Sequence, residues 1–397
     1  MTPRAAPLPL PEFVALLATM ISIVALSTDV VLPALDRIGA DLGVADPNDA
    51  QLVVTALFLG FGLGQLVAGP LSDAFGRKPV IYGGYALFVV GCLLSLLADG
   101  FAAMIAGRVL QGLGAAAPRI VSVALIRDGY AGREMARIMS VIMAVFVLVP
   151  ALAPALGQGI LLLAGWRAQF AVLLALALGG CAWFAWRQPE TLPPARRRPL
   201  SPGALAHGLA AVVRRPGVLR HTLAQGLVFG AFLGYLSSAQ QIFRTTYGAG
   251  DLFALWFAVA ALAVGAASIL NARLVMRLGM RPLTRRALWT LTLASAAFLP
   301  VVLMAAGAPP FWAFMLWLLV AFGCIGLLFG NLNALAMEPL GDLAGLGAAF
   351  VGSAATLMSL PVGWAVGAAF AGGVAPLVAA FAVTGAGALL ATARDAD

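Results

Sequence analysis

Charge is scarce in this sequence. Asp, Glu, Lys and Arg fill 10% of its 397 positions, against about 25% in ordinary soluble domains. Apolar residues take up 62%, where a soluble domain carries roughly 45–50%, and a globule of this size has too little interior to hide the excess. A soluble enzyme, a disordered chain and a single-anchor protein are thereby excluded. The alternation of apolar and polar residues that marks a transmembrane β-strand is missing from runs such as Phe13 to Ser27, which excludes a membrane β-barrel. What remains is a bundle of α-helices, which satisfies its backbone hydrogen bonds internally in lipid.

Metal and thiol chemistry is equally thin. Cys92, Cys181 and Cys324 stand in separate apolar runs without C-x-x-C spacing and read as small buried thiols. The two histidines, His207 and His221, both read as unburied, and two imidazoles assemble no zinc or haem constellation. No metal site and no cofactor are expected.

What the sequence has is apolar length. Twelve runs lie between charged or Gly/Pro breaks: Phe13 to Pro33, Leu52 to Leu71, Val80 to Ala98, Phe101 to Ile126, Ile138 to Leu163, Phe170 to Trp186, Thr222 to Phe243, Leu252 to Leu274, Ala287 to Ala306, Phe311 to Met337, Leu346 to Phe370 and Val374 to Thr392. A membrane span takes about 20 apolar residues. The first run, 21 residues, exceeds the 7 to 15 residue core of a signal peptide and reads as a retained helix. Twelve spans, numbered 1 to 12 in chain order, put both termini on one side.

Charge orients the bundle. With both termini cytoplasmic, nineteen bases fall inside, among them Arg4, Arg198 and Arg394, against three outside (Arg37, Arg167, Arg244) and two within span 4 (Arg108, Arg119). That asymmetry satisfies the positive-inside rule. The first outer loop is instead acidic, with Asp36, Asp41, Asp46 and Asp49. The net charge of +8 therefore reads as topology and lipid contact, with the bilayer as partner and nucleic acid excluded.

One connection is long. Gln188 to Arg220 carries six prolines and the Arg196 to Arg198 run, which marks a mobile or surface-lying linker and divides the chain into a six-helix half at 1–187, the linker at 188–220 and a second six-helix half at 221–397. A repeat supports the division: Gly69 to Pro79, after span 2, aligns with Ala272 to Pro282, after span 8, at an offset of 203 residues, with Leu, Gly, the second base and Pro matching and Asp73 unmatched. Fused halves leave such a repeat.

The loop Gly69 to Pro79 has physical content of its own. Gly69 permits close helix approach at the membrane face, Gly76 permits a tight turn, and Asp73, Arg77 and Lys78 are charges held at the inner surface. It resembles the major facilitator superfamily signature G-x-L-x-D-x-x-G-R-K/R. Arg108 to Ala116 is similar to that superfamily's R-x-x-Q-G-x-G-A-A motif, and Pro150 to Gln158, with Pro150, Pro154 and Gly157, to its antiporter motif, from which Ala153 and Gln158 depart where Gly is usual. Asp29 to Pro33 in span 1, Trp166 with Arg167 and Asn333 to Leu340 make the variant most similar to the bicyclomycin and chloramphenicol resistance exporters. The resemblance implies the major facilitator fold, twelve helices in two pseudo-symmetric halves, in a bacterial inner membrane. It also implies a gate in which Arg77 pairs with Asp128 and Asp73 faces the amino end of span 11, locking the outward-facing state of an alternating-access cycle.

Asp29 is the one acidic side chain well inside an apolar run, and burying it costs about 2.5–3.5 kcal/mol on insertion scales. By helical rise it lies at a depth where Arg108 can meet it. Two roles stand open: Asp29 carries a coupling proton tuned by Arg108, or the two form a static pair joining spans 1 and 4. Arg108, Gln111, Ala115 and Arg119 share one helix face, expected to line a wet cavity, with Arg119 serving either substrate contact or an inner gate. In span 7, Tyr235, Ser238 and Gln241 line the cavity or pack between helices. Met143 and Phe146, with Met20 and Met358, furnish an adaptable apolar wall or simple packing.

The reading that joins these features is a secondary transporter, not an enzyme, exporting small amphipathic drug-like molecules at the expense of the proton gradient, functional as a monomer. Proton-coupled transport of an endogenous metabolite, such as an amino acid or short peptide, is the alternative; a zwitterion would want a second acid beside Asp29 in the cavity. An intramembrane enzyme or receptor is the reading from another class, and a hydrolase would need a nucleophile beside a base, or a metal set.

Overall fold

The computed structural model describes residues 8–130, 132–197 and 200–393; Arg4, Arg198 and Arg394 of the charge count lie outside them. The described residues form fourteen α-helices and no strand. They are α1 Leu10–Asp29, α2 Leu35–Asp41, α3 Leu52–Phe75, α4 Arg77–Leu96, α5 Phe101–Gly129, α6 Gly132–Ala164, α7 Trp166–Arg187, α8 Pro202–Arg214, α9 Val218–Gln241, α10 Phe253–Leu278, α11 Met280–Met304, α12 Phe311–Met337, α13 Ala344–Ala368 and α14 Ala375–Thr392. Twelve segments are long and apolar enough to cross a membrane, one for each apolar run.

Helices α1 to α7 associate chiefly with one another, as do α9 to α14. The seam between the groups is α3 against α13 and α6 against α10. These are spans 2 with 11 and 5 with 8, two contacts that exchange when the chain is shifted by six spans. Glycine lets the tightest pair touch backbone to backbone. A Cβ at Gly60 of α3 would fall on the Val109 carbonyl, and one at Gly112 of α5 on that of Leu57.

The repeated loops adopt the same turn. Gly76, between α3 and α4, has φ 106° and ψ 163°, and Gly279, between α10 and α11, has φ 79° and ψ 160°. Such positive φ values are costly for any residue with a Cβ.

Two expectations need correction. The first apolar run does not end at Pro33: α1 stops at Asp29, a tight turn over Leu32–Ala34 follows, and α2 continues to Asp41. The break is due to Pro33, which has no N–H to offer the Asp29 carbonyl four residues back and crowds it sterically. The described part of the linker 188–220 keeps to the protein surface, one of the two placements its sequence allows, and is partly helical: Val212 of α8 and Val218 pack with Ala336, Leu340 and Val351 at the base-rich end. Because α9 already starts at Val218, His221 sits in its first turn and is 3% exposed, with Nδ1 2.8 Å from the Gly217 carbonyl oxygen.

Candidate functional site

The break in α1 creates the polar centre of the bundle. Val31 N–H turns back to the Thr28 carbonyl at 3.2 Å instead of bonding Ser27, and the Ser27 carbonyl becomes available to another helix. Arg108 of α5 takes it: Nη2 donates to Ser27 O at 3.0 Å, Nε to Val53 O of α3 at 2.9 Å and Nη1 to Gln111 Oε1 at 2.7 Å. Gln111 in turn donates to Gly91 O and Ser95 Oγ of α4. One fully buried guanidinium thus ties α1, α3 and, through Gln111, α4 to α5. Gly157 of α6 closes the other side of the break, since a Cβ there would fall on the Val30 carbonyl. Pro150 and Pro154 lie within α6 without ending it.

Asp29 is the last residue of α1, 4% exposed. It makes no ion pair with Arg108, although both stand at this break. From the other group of helices Tyr235 of α9 lies near enough to feel the Asp29 charge. Its ring is fixed edge-on to Phe322 at 4.7 Å and stacked on Phe257 at 5.8 Å, and its hydroxyl is buried without a hydrogen-bond partner.

The α5 stripe divides into two parts. Arg108, Gln111 and Ala115 are fully buried in this structure, on the face expected to line a wet cavity; backbone carbonyls supply the solvation that the arginine would otherwise seek from water. Arg119, nearer the base-rich end, keeps part of its surface open and rests on the Phe146 ring, 5.2 Å from the centroid. Of the methionines expected in an apolar wall, Met20 is buried, while Met143 and Met358 are exposed. Ser238 is buried and bonds its own helix at Gly234 O.

Gln241 lies at the acidic end. Gln51 Nε2 donates to Gln241 Oε1 at 2.6 Å and Gln241 Nε2 to Pro47 O at 3.1 Å; beside them Gln240 and Arg244 donate to Asp36 Oδ2 at 2.9 and 3.0 Å. These bonds latch the two groups together at the acidic end. Gln241 and Arg244 also border a cavity of about 1010 Å³ there, opposite Asp36 and Arg37.

At the base-rich end the charged loop is assembled around Arg77, 3% exposed. Its Nε donates to Asp128 Oδ2 at 2.9 Å and its Nη1 to Asp73 Oδ1 at 2.6 Å. Asp73 is bound to Arg77 and makes no hydrogen bond to α13 among the described residues, while Gly69 faces Ala349 of α13. Lys78 Nζ donates to the Gln188 and Ala185 carbonyls, where the C-terminal end of α7 favours a cation. Sequence reasoning missed Glu190. Its carboxylate accepts from the backbone N–H groups of Arg77 and Lys78 at 3.1 and 3.0 Å, capping α4 from another part of the chain. Thr191 beside it donates to Asp128 at 2.8 Å. The available signal was a helix that starts directly after a glycine with no capping side chain of its own.

Comparisons with known proteins agree with this architecture. Residues 17–362 match the Major Facilitator Superfamily. An uncharacterized MFS-type transporter, YdgK, of Bacillus subtilis (strain 168) is 30% identical over 330 residues, covering 82% of this chain and 81% of that protein. A bicyclomycin resistance protein homolog of Haemophilus influenzae is 28% identical over 326 residues, covering 82% and 81%. Among solved structures, that of a D-xylose-proton symporter superposes with a TM-score of 0.75 at 16% identity, over 96% of each chain.

Proposed function

This chain belongs to the Major Facilitator Superfamily, and from that premise we propose that it is a proton-coupled exporter of small amphipathic drug-like compounds, of phenicol or bicyclomycin type. It is a transporter of the bacterial inner membrane, with relatives that include drug-resistance proteins. In our reading the base-rich end faces the cytoplasm, α1 to α7 and α9 to α14 are the halves that rock, and each chain is a complete pathway.

Asp29 carries the proposal. It is a buried carboxyl at the break in α1, without an ion-pair partner among the described residues and between the two groups of helices, with Tyr235 of the second group nearby. A carboxyl so placed binds a proton in one state and releases it in another when water reaches it. Arg108 holds the broken end of α1 in position.

The test is a drug-susceptibility panel in an efflux-deficient host, comparing wild type with Asp29→Asn at matched expression. Asn keeps the shape, so the variant should be folded and bind substrate but confer no resistance and drive no uphill export in proteoliposomes. Uphill, proton-driven export by Asp29→Asn would overturn the assignment.

A further inference from the structure

Two arginines on one face of α5 have opposite environments. Arg108 and Arg119 are eleven residues apart, which on a helix means the same face and about 16 Å of separation along the axis. Arg108 donates to three acceptors. Arg119 makes no hydrogen bond and no ion pair among the described residues, and its recorded neighbour is the face of Phe146 at 5.2 Å.

Among the described residues no acid makes an ion pair or a hydrogen bond with it. Ser122, less than one turn beyond Arg119, has its Oγ 3.9 Å from Met20 Sδ, which sets Arg119 level with that part of α1. Asp29 is nine residues further along α1, about 13 Å away by helical rise. A guanidinium within a membrane-spanning helix faces a partner or a wet cavity, and here the protein provides an aromatic ring and an empty fork of N–H donors.

We propose that Arg119 and Phe146 form a receptor for an aryl anion: the planar fork takes a carboxylate or sulfonate in two parallel hydrogen bonds, and the ring takes the aromatic body. This rests on the exporter reading and extends it, adding amphipathic organic monoanions to the neutral compounds named there. The substrate's acid group binds apart from Asp29, so proton and substrate do not compete for one group.

The experiment is equilibrium dialysis of the purified full chain against 1-naphthoate and its neutral isostere 1-naphthamide, for wild type, Arg119→Gln and Arg119→Lys. Wild type should prefer naphthoate, and Arg119→Gln should weaken naphthoate about ten-fold or more while moving naphthamide less than about three-fold, as expected for loss of a charge-assisted pair. Arg119→Lys, keeping charge without the fork, should fall between. Naphthoate binding no tighter than naphthamide in wild type, a measurement that needs no variant, overturns the proposal; so does equal weakening of both compounds in Arg119→Gln. Failure of the exporter reading shows elsewhere, as wild-type vesicles that move no chloramphenicol uphill under a proton gradient, and leaves the dialysis result to stand or fall by itself.

Discussion

Arg108 reaches past Asp29 to the backbone: its Nη2 donates to the Ser27 carbonyl at 3.0 Å, two residues before the carboxylate, and the two side chains form no ion pair. The arginine is a clamp on a broken helix in this state, and the aspartate is left without it as a partner. A static ion pair would have neutralised both.

If Arg108 is a clamp, its removal should cost stability as well as transport. Arg108→Gln loses bonds to Ser27 and Val53 and leaves their carbonyls buried without donors. At about 1–1.5 kcal/mol for each lost bond, the expected cost is roughly 3 kcal/mol. Thermal unfolding in detergent should show a clear drop for Arg108→Gln and little change for Asp29→Asn. Equal stability of Arg108→Gln and wild type would mean that the clamp carries no load.

The twelve helices were legible because apolar length is a one-dimensional property, and the loop Gly69 to Pro79 because its charges are spaced along a single turn. The Arg108 environment was not legible. Its partners are carbonyl oxygens, which every residue has, and Ser27 O becomes available only through the tertiary consequence of Pro33. Glu190 was hidden for a related reason: it caps α4 from more than a hundred residues away, and nothing near Gly76 in sequence announces it. For Gln241 the sequence leaves cavity lining and packing between helices open, and its bonds across the seam depend on the register of α9 against Gln51 and Pro47, which no local pattern announces.

That latch should set the conformational balance. Gln241→Leu leaves Gln51 Nε2 and Pro47 O without their partners at the acidic end, a loss of about 2 kcal/mol and hence roughly a 30-fold shift toward the state open at that end. Spin labels at the exposed Ala45 and Ala371 would report it as a longer distance population. Arg244→Ala removes an exposed pair with Asp36 and should shift the balance far less, because such pairs contribute about 0–1 kcal/mol.

Glu190 should be needed for the base-rich end. Glu190→Ala strips the cap from the first N–H groups of α4, a loss of about 1–2 kcal/mol, while Glu190→Gln keeps one acceptor and should recover part of it. Gly76→Ala should be worse than either, since its φ of 106° is unfavourable for alanine and the new Cβ would stand 2.7 Å from the Glu190 carboxylate. Yield of monodisperse protein and resistance in the efflux-deficient host give the ranking.

With Asp29 the single membrane-buried carboxyl proposed for coupling, about one proton enters per cycle, and the charge of the cargo decides what drives export. A neutral phenicol exchanged for one proton moves one net charge, a monovalent cation none, and an aryl anion held by Arg119 two. Each charge gains about 2.3 kcal/mol per 100 mV, so collapsing a 100 mV potential at fixed pH gradient should lower the limiting gradient of a neutral cargo roughly 50-fold, leave a cation's unchanged and affect naphthoate most. Valinomycin-clamped proteoliposomes measure all three. A neutral cargo indifferent to voltage would mean that a second counter-ion moves with the proton, and one lone carboxyl would then no longer account for coupling.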